Sequence, residues 1–111
     1  MTVDLELSKK EDLTIREMQN HMDMFVKKHG WDKDDIYKKF LLFSEEIGEL
    51  AKEIRKSEKL YMEDAKENSK DLEGEFADVL NYVLDLANHM NVDLEKAYRD
   101  KNQANLKREW K

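Results

Sequence analysis

The chain has no cysteine, no proline and only three glycines in 111 residues. Without cysteine there is no disulfide framework and no thiolate to act as nucleophile or metal ligand, which fits a reducing compartment. With no proline and so little glycine, the turns of a many-stranded sheet are missing, so the expected fold class is all-α. No apolar run approaches the roughly 20 residues that cross a bilayer, and the N-terminal stretch is acidic, unlike the basic start of a signal peptide. The net charge of -6 argues against nucleic acid or an anionic membrane as partner. These absences lead to a soluble, cytoplasmic protein with a single domain over residues 1–111. Its core is small enough that oligomerisation would help to complete it.

What the chain does have is charge: 41% of it is Asp, Glu, Lys or Arg. In such a chain a lone E-x-x-E is most often a solvated helix face. Two acidic pairs stand in a different setting. Glu46 and Glu49 follow Phe40-Leu41-Leu42-Phe43, and Glu75 and Asp78 lie among Phe76, Val79, Leu80, Val83 and Leu84. Residues three apart share a helix face, so each pair is half of a possible cage. Carboxylates packed together must take up protons or bind a cation. Oxygen-only ligands, with no histidine at either spacing, favour Mg²⁺ or Mn²⁺ over zinc and point toward phosphate chemistry. His21 and His29 read as structural or surface residues. A di-iron bundle would want histidine where Glu49 and Asp78 stand.

The helices can be placed from caps and periodicity. Thr14 and Glu17 form a capping box, and Ile15, Met18, Met22, Phe25 and Val26 recur at helical spacing until Gly30. Asp32 or Asp34 can cap a second helix ending near Ser57, with Ile36, Phe40, Phe43, Ile47, Leu50 and Ile54 as its inward stripe. Glu46, Glu49 and Glu53 fall on one flank of that stripe. Leu41 and Gly48 widen the non-polar surface, which suggests burial by a second subunit as well. Residues 56–70 read as a polar connection. A third helix over about 71–90 has Leu72, Phe76, Val79, Leu80, Val83, Ala87 and Met90 inward, with Glu75, Asp78 and Tyr82 on one flank. Packed antiparallel, the two helices would bring their carboxylate flanks face to face. Asn91 suits a left-handed stop, and Asp93 caps a fourth helix on Leu94, Ala97 and Tyr98. Continued at helical spacing, that face becomes Lys101, Asn105 and Arg108, which could donate to phosphate oxygens or could simply be a solvated helix end.

Taken together, E-E-x-x-E at 45–49, E-x-x-D-V-L at 75–80 and K-x-x-x-N-x-x-R at 101–108 closely resemble the MazG-like all-α nucleoside triphosphate pyrophosphohydrolases. The resemblance implies a compact four- to five-helix bundle completed by oligomerisation as a homodimer or homotetramer, with its active site near the subunit interface. It also implies Mg²⁺ at Glu46, Glu49, Glu75 and Asp78, and cleavage of a nucleoside triphosphate between the α and β phosphates to monophosphate and pyrophosphate, as in nucleotide pool cleansing. Lys101, Asn105 and Arg108 match the family's phosphate-holding tail, and Tyr82 an aromatic position placed against the nucleotide. The catalytic assignments are Glu49, to ligate metal and orient or deprotonate the attacking water, with Glu45 and Glu53 as weaker candidates. Trp31, Tyr37, Tyr82 and Trp110 are the aromatics that could stack on a base, and Trp31 is taken with Tyr82 as substrate-binding. The chain departs from the pattern at Arg108-Glu109-Trp110, where many members carry R-Y-P.

Two alternatives lie close by in the same superfamily, a phosphoribosyl-ATP pyrophosphohydrolase and a dUTPase. A different class is a non-catalytic helical interaction module whose acids serve solubility or a basic partner. A thermal melt separates these classes. The enzyme reading expects added Mg²⁺ or Mn²⁺ to raise the melting temperature, and the interaction module expects no change.

Overall fold

The computed structural model describes residues 9–59 and 71–108. Among them four α-helices are complete: α1 (Ile15–Lys28), α2 (Ile36–Ser57), α3 (Leu72–His89) and α4 (Leu94–Lys107), with a 3₁₀ turn at Trp31–Lys33. No strand occurs among the described residues, so the all-α expectation holds. The chain divides into two compact units, Met1–Lys33 with Leu84–Lys111, and Asp34–Val83; the boundary falls inside α3.

In the first unit, α1 begins where the sequence places it. The Thr14 hydroxyl accepts from the Glu17 backbone N–H at 3.1 Å, and the Glu17 carboxylate accepts from the Thr14 N–H at 3.1 Å. Lys10 closes on Glu17 at 2.7 Å and holds that carboxylate below its ordinary pKa. Met22, Val26 and Leu84 form the core, with Ile15, Met18 and Leu94 packed against it. Burying each such side chain is worth about 1.5–3 kcal/mol.

The link from α3 to α4 is fixed by backbone and amide bonds. Asn91 sits at φ 57°, in the left-handed region. Behind it the Asn91 and Val92 N–H groups reach back to the Asn88 and Ala87 carbonyls at 3.2 and 2.8 Å, as in a Schellman ending. Gln19, buried on α1, then clamps the corner. Its Nε2 donates to Asn88 Oδ1 (3.1 Å) and the Val92 carbonyl (2.8 Å), its Oε1 accepts from the Leu94 N–H (2.9 Å), and Asn88 Nδ2 returns a bond to the Gln19 carbonyl (2.8 Å). Asp93 caps α4 as expected, accepting from the Lys96 N–H, and is joined by Arg16 at 3.0 Å. Sequence periodicity had no signal for the clamp, because an isolated glutamine on an apolar stripe looks like a surface residue.

In the second unit α2 is capped by Asp35, not by Asp32 or Asp34; the Asp35 carboxylate accepts from the Lys38 N–H at 2.8 Å. Asp34 instead pairs with Lys38 Nζ at 3.2 Å. Asp71 opens α3, accepting from the Gly74 N–H at 3.2 Å, and a Cβ on Gly74 would run into the Asp71 carboxyl group.

The inward stripe is where expectation and structure part. Phe40, Ile47 and Ile54 are exposed on α2, as are Phe76 and Leu80 on α3, Met90 just after it and Tyr98 on α4. The half-buried positions of α2 include Leu42, Phe43, Glu46, Leu50 and Glu53, and Lys39 is buried. The helix is therefore turned so that Glu46 and Glu53 of the carboxylate flank lie on the covered side, while Glu49 is exposed. A hydrophobic stripe marks where a helix buries area, and it does not distinguish burial by the same chain from burial by another. The connection expected over 56–70, with Leu60, Tyr61 and Met62, lies largely outside the described residues.

Replacing Gln19 by leucine leaves the Leu94 N–H, the Val92 carbonyl and Asn88 Oδ1 without their side-chain partner, while Asn88 Nδ2 keeps its bond to the carbonyl of residue 19. The Gln19→Leu variant is expected to lose about 3 kcal/mol in urea unfolding. A change within the scatter of surface substitutions would mean that the clamp is not structural.

Candidate metal centre

All carboxylates of the site belong to the second unit. Glu46 on α2 and Glu75 and Asp78 on α3 each bring one carboxylate oxygen into a group whose atoms lie within 4.8 Å of one another. The helical spacing explains half of this, since Glu75 and Asp78 share a face. The rest is tertiary: Glu46, from α2, stands beside them and shares a hydrogen bond with Glu75.

The electrostatics are those of crowded like charges. Burial of the Glu75 carboxyl is the largest effect, followed by a hydrogen bond shared with Glu46 and then by the charges of Glu46, Asp78 and Glu49; together they push Glu75 up to about 7. Its other oxygen is closed off from solvent and has no hydrogen-bond partner. A shielded carboxylate oxygen without a donor, beside two more carboxylates, is a chemical fit for a hard divalent cation. Mg²⁺ and Mn²⁺ suit this donor set, which holds neither nitrogen nor sulfur.

Glu49 is exposed and stands outside the tight group, although its charge acts on Glu75. Glu45 is exposed. Glu53 lies 4.0 Å from Lys56 Nζ, on the same flank of α2. Tyr82 is half-buried one turn beyond Asp78. Lys101, Asn105 and Arg108 lie on α4 and its C-cap, in the first unit, with Asn105 half-buried and the two cations exposed. Trp31, also in the first unit, stacks on His29 with ring centroids 4.6 Å apart, and His29 packs in turn on Phe25 at 4.5 Å. Sequence reasoning passed over His29 in this role; it follows α1 directly and its Nδ1 lies 2.9 Å from the Phe25 carbonyl, so the ring is held flat beneath the indole. Trp110 lies outside the described residues.

A family profile described as dUTPase matches residues 13–95 of the chain. The chain belongs to this family. The matched span contains the whole carboxylate group and stops before Lys101, Asn105 and Arg108. Family membership places the chain among nucleotide hydrolases. Among curated proteins, the uncharacterized protein YpjD of Bacillus subtilis (strain 168) is 30% identical over 112 residues, covering 90% of this chain and 98% of the relative. No solved structure matches the chain. Among the described residues, no helix is long and apolar enough to cross a membrane.

The raised pKa has a definite sign for stability. In the metal-free native state Glu75 holds its proton to about 7, against an ordinary 4.5. The stability contributed by that proton is full below the ordinary value, declines as pH rises, and is gone above the raised one. Metal-free protein should therefore lose stability from this group across that window, and Glu75→Gln should flatten the loss in melts taken at stepped pH. A wild-type profile indistinguishable from that of the variant would remove the case for a crowded, proton-sharing site.

Proposed function

We propose that the chain is a divalent-metal-dependent nucleoside triphosphate pyrophosphohydrolase that cleaves between the α and β phosphates. The observation that carries this reading is the convergence of Glu46, Glu75 and Asp78, with one Glu75 oxygen shielded and unpartnered. The family match supports the substrate class.

Glu46, Glu75 and Asp78 would hold the metal, with Glu49 as a further ligand from the next turn of α2. Bound there, Mg²⁺ or Mn²⁺ supplies charge neutralisation for the phosphates and lowers the pKa of coordinated water. Glu49 is exposed, unlike half-buried Glu46 and Glu75, and so remains open to an incoming water. It orients that water and accepts its proton as the oxygen bonds to the α-phosphorus. The bond from the α-phosphorus to the bridging oxygen breaks, and pyrophosphate leaves with the electron pair. Glu45 is the second candidate for the proton. Lys101, Asn105 and Arg108 are assigned phosphate contacts, and Trp31 and Tyr82 nucleotide contacts, on the family resemblance. The exposed apolar residues of α2 support self-association as a homodimer or homotetramer, and a cytoplasmic, pool-cleansing role completes the proposal.

A second reading, dUTP as the preferred substrate, is favoured by the description of the matching family. One assay tests both. Purified protein with Mg²⁺, and separately with Mn²⁺, is incubated with ribo- and deoxyribonucleoside triphosphates including dUTP, and monophosphate, diphosphate, pyrophosphate and orthophosphate are resolved. Monophosphate with pyrophosphate is expected, and the ranking gives the base and sugar. Diphosphate with orthophosphate would mean attack at the γ-phosphorus and end the proposal.

Glu49→Gln is expected to keep the melting temperature and lose at least about 100-fold in kcat. A folded Glu49→Gln enzyme with normal turnover would sink the assignment of that residue.

A further inference from the structure

We propose that His29 is a positioning residue for nucleobase binding, which holds the Trp31 indole as a one-sided stacking surface for a flat heterocycle. This role rests on the nucleotide contact assigned to Trp31 above and adds a residue that the assignment does not contain.

The stack is built by the end of α1. The His29 N–H reaches the Phe25 carbonyl at 3.3 Å and the Gly30 N–H the Lys27 carbonyl at 3.1 Å, so the last turn is closed by backbone bonds. Gly30 then takes φ 73°, a left-handed value that costs glycine little and other residues more. The chain reverses there, and Trp31 comes to lie over the side chain two residues before it. Its ring stands 4.6 Å from that of His29 at 24°, close to parallel, and meets Phe25 edge-on at 5.8 Å and 63°. His29 rests in turn on Phe25 at 4.5 Å.

His29 is the member of the stack that a directional bond holds. A carbonyl oxygen only accepts, so at 2.9 Å from the Phe25 oxygen the His29 Nδ1 carries the proton, and the plane of the ring is fixed. The indole takes its orientation from that plane. Trp31 keeps 48% of its surface in solvent, as befits a flat ring covered on one face. A base arriving on the other face meets an indole that is already ordered. An exposed tryptophan left loose would have to be ordered at each binding event, and that cost falls on affinity.

A ring cluster at a helix end can also serve stability alone. The core of this unit, however, is Met22, Val26 and Leu84, and none of the three rings belongs to it. Phe25, His29 and Trp31 are all exposed, so their aromatic area is kept at the surface instead of enlarging that core. The class of ligand follows from a single open aromatic face. An indole stacks on planar heterocycles without needing a hydrogen bond, which suits every nucleobase and selects none of them.

The test is Trp31 fluorescence in a Trp110→Phe background, which removes the other of the two tryptophans in the chain. The probes are the α,β-imido analogues of dUTP and dATP with Mg²⁺, in which the link between the α and β phosphates resists cleavage. Both are expected to quench Trp31. His29→Ala should keep its helical circular dichroism, shift Trp31 emission to the red and weaken both analogues about fivefold or more. In turnover it should raise KM by a similar factor with kcat unchanged, whereas a role in stability alone would lower the melting temperature and leave KM where it is. His29→Phe, which restores a flat face, should recover most of the affinity, and His29→Gln, which offers a donor but no ring, should not. His29→Ala binding as tightly as wild type, or His29→Phe binding as weakly as His29→Ala, overturns the positioning role. Analogues that leave wild-type Trp31 emission unchanged overturn the stacking surface; if the nucleotide panel still yields monophosphate and pyrophosphate, the proposed reaction stands without it. Quenching by the analogues in a protein that cleaves no nucleotide keeps the stacking surface and overturns the reaction.

Discussion

Three carboxylates that share a few ångströms repel one another, and the second unit of this chain is organised around that repulsion. A protein gains nothing in stability by bringing Glu46, Glu75 and Asp78 together. In the absence of a cation the site answers by keeping a proton on Glu75 at pH values where a free glutamate would be ionised. The unpartnered oxygen belongs to the same residue. A proton satisfies one lone pair, whereas a divalent ion would satisfy several at once and remove the repulsion as well. Stability is traded locally for binding capacity, which is the usual condition of a functional site.

The same constraint accounts for the orientation of α2. A helix offers a limited arc to its own chain, and here that arc carries Leu42, Phe43, Glu46, Leu50 and Glu53. With Glu46 and Glu53 on the covered side, a large part of the apolar surface is left outside. Polar chemistry inside and hydrophobic area outside are thus two aspects of one rotation of one helix, and the second explains why a small chain that can still form a core in its first unit has so many large apolar side chains in solvent.

The first unit is held by different means. Its core is a handful of aliphatic and methionine side chains, supplemented by the Gln19 and Asn88 amides. These amides replace packing area with directional bonds at the corner between α3 and α4, where the backbone turns through a left-handed residue and has N–H and carbonyl groups to satisfy.

Local chemistry, legible in order along the chain, determined the all-α class, the capping box at Thr14 and Glu17, the Asp93 cap, the stops at Gly30 and Asn91, and the i, i+3 pairing of acids. Each depends on residues within a turn or two of one another, so propensity and spacing suffice. The assembly of Glu46 with Glu75 and Asp78 was legible only as a possibility, because joining residues from two helices needs their packing. Tertiary structure alone decided that Glu49 stands at the rim, that Asp35 takes the cap from its two neighbouring aspartates, that Gln19 is buried, and that Phe40, Ile47 and Ile54 face outward. The reason is common to all of them: periodicity gives the face a residue shares, while the direction in which that face points is set by what the rest of the molecule places against it.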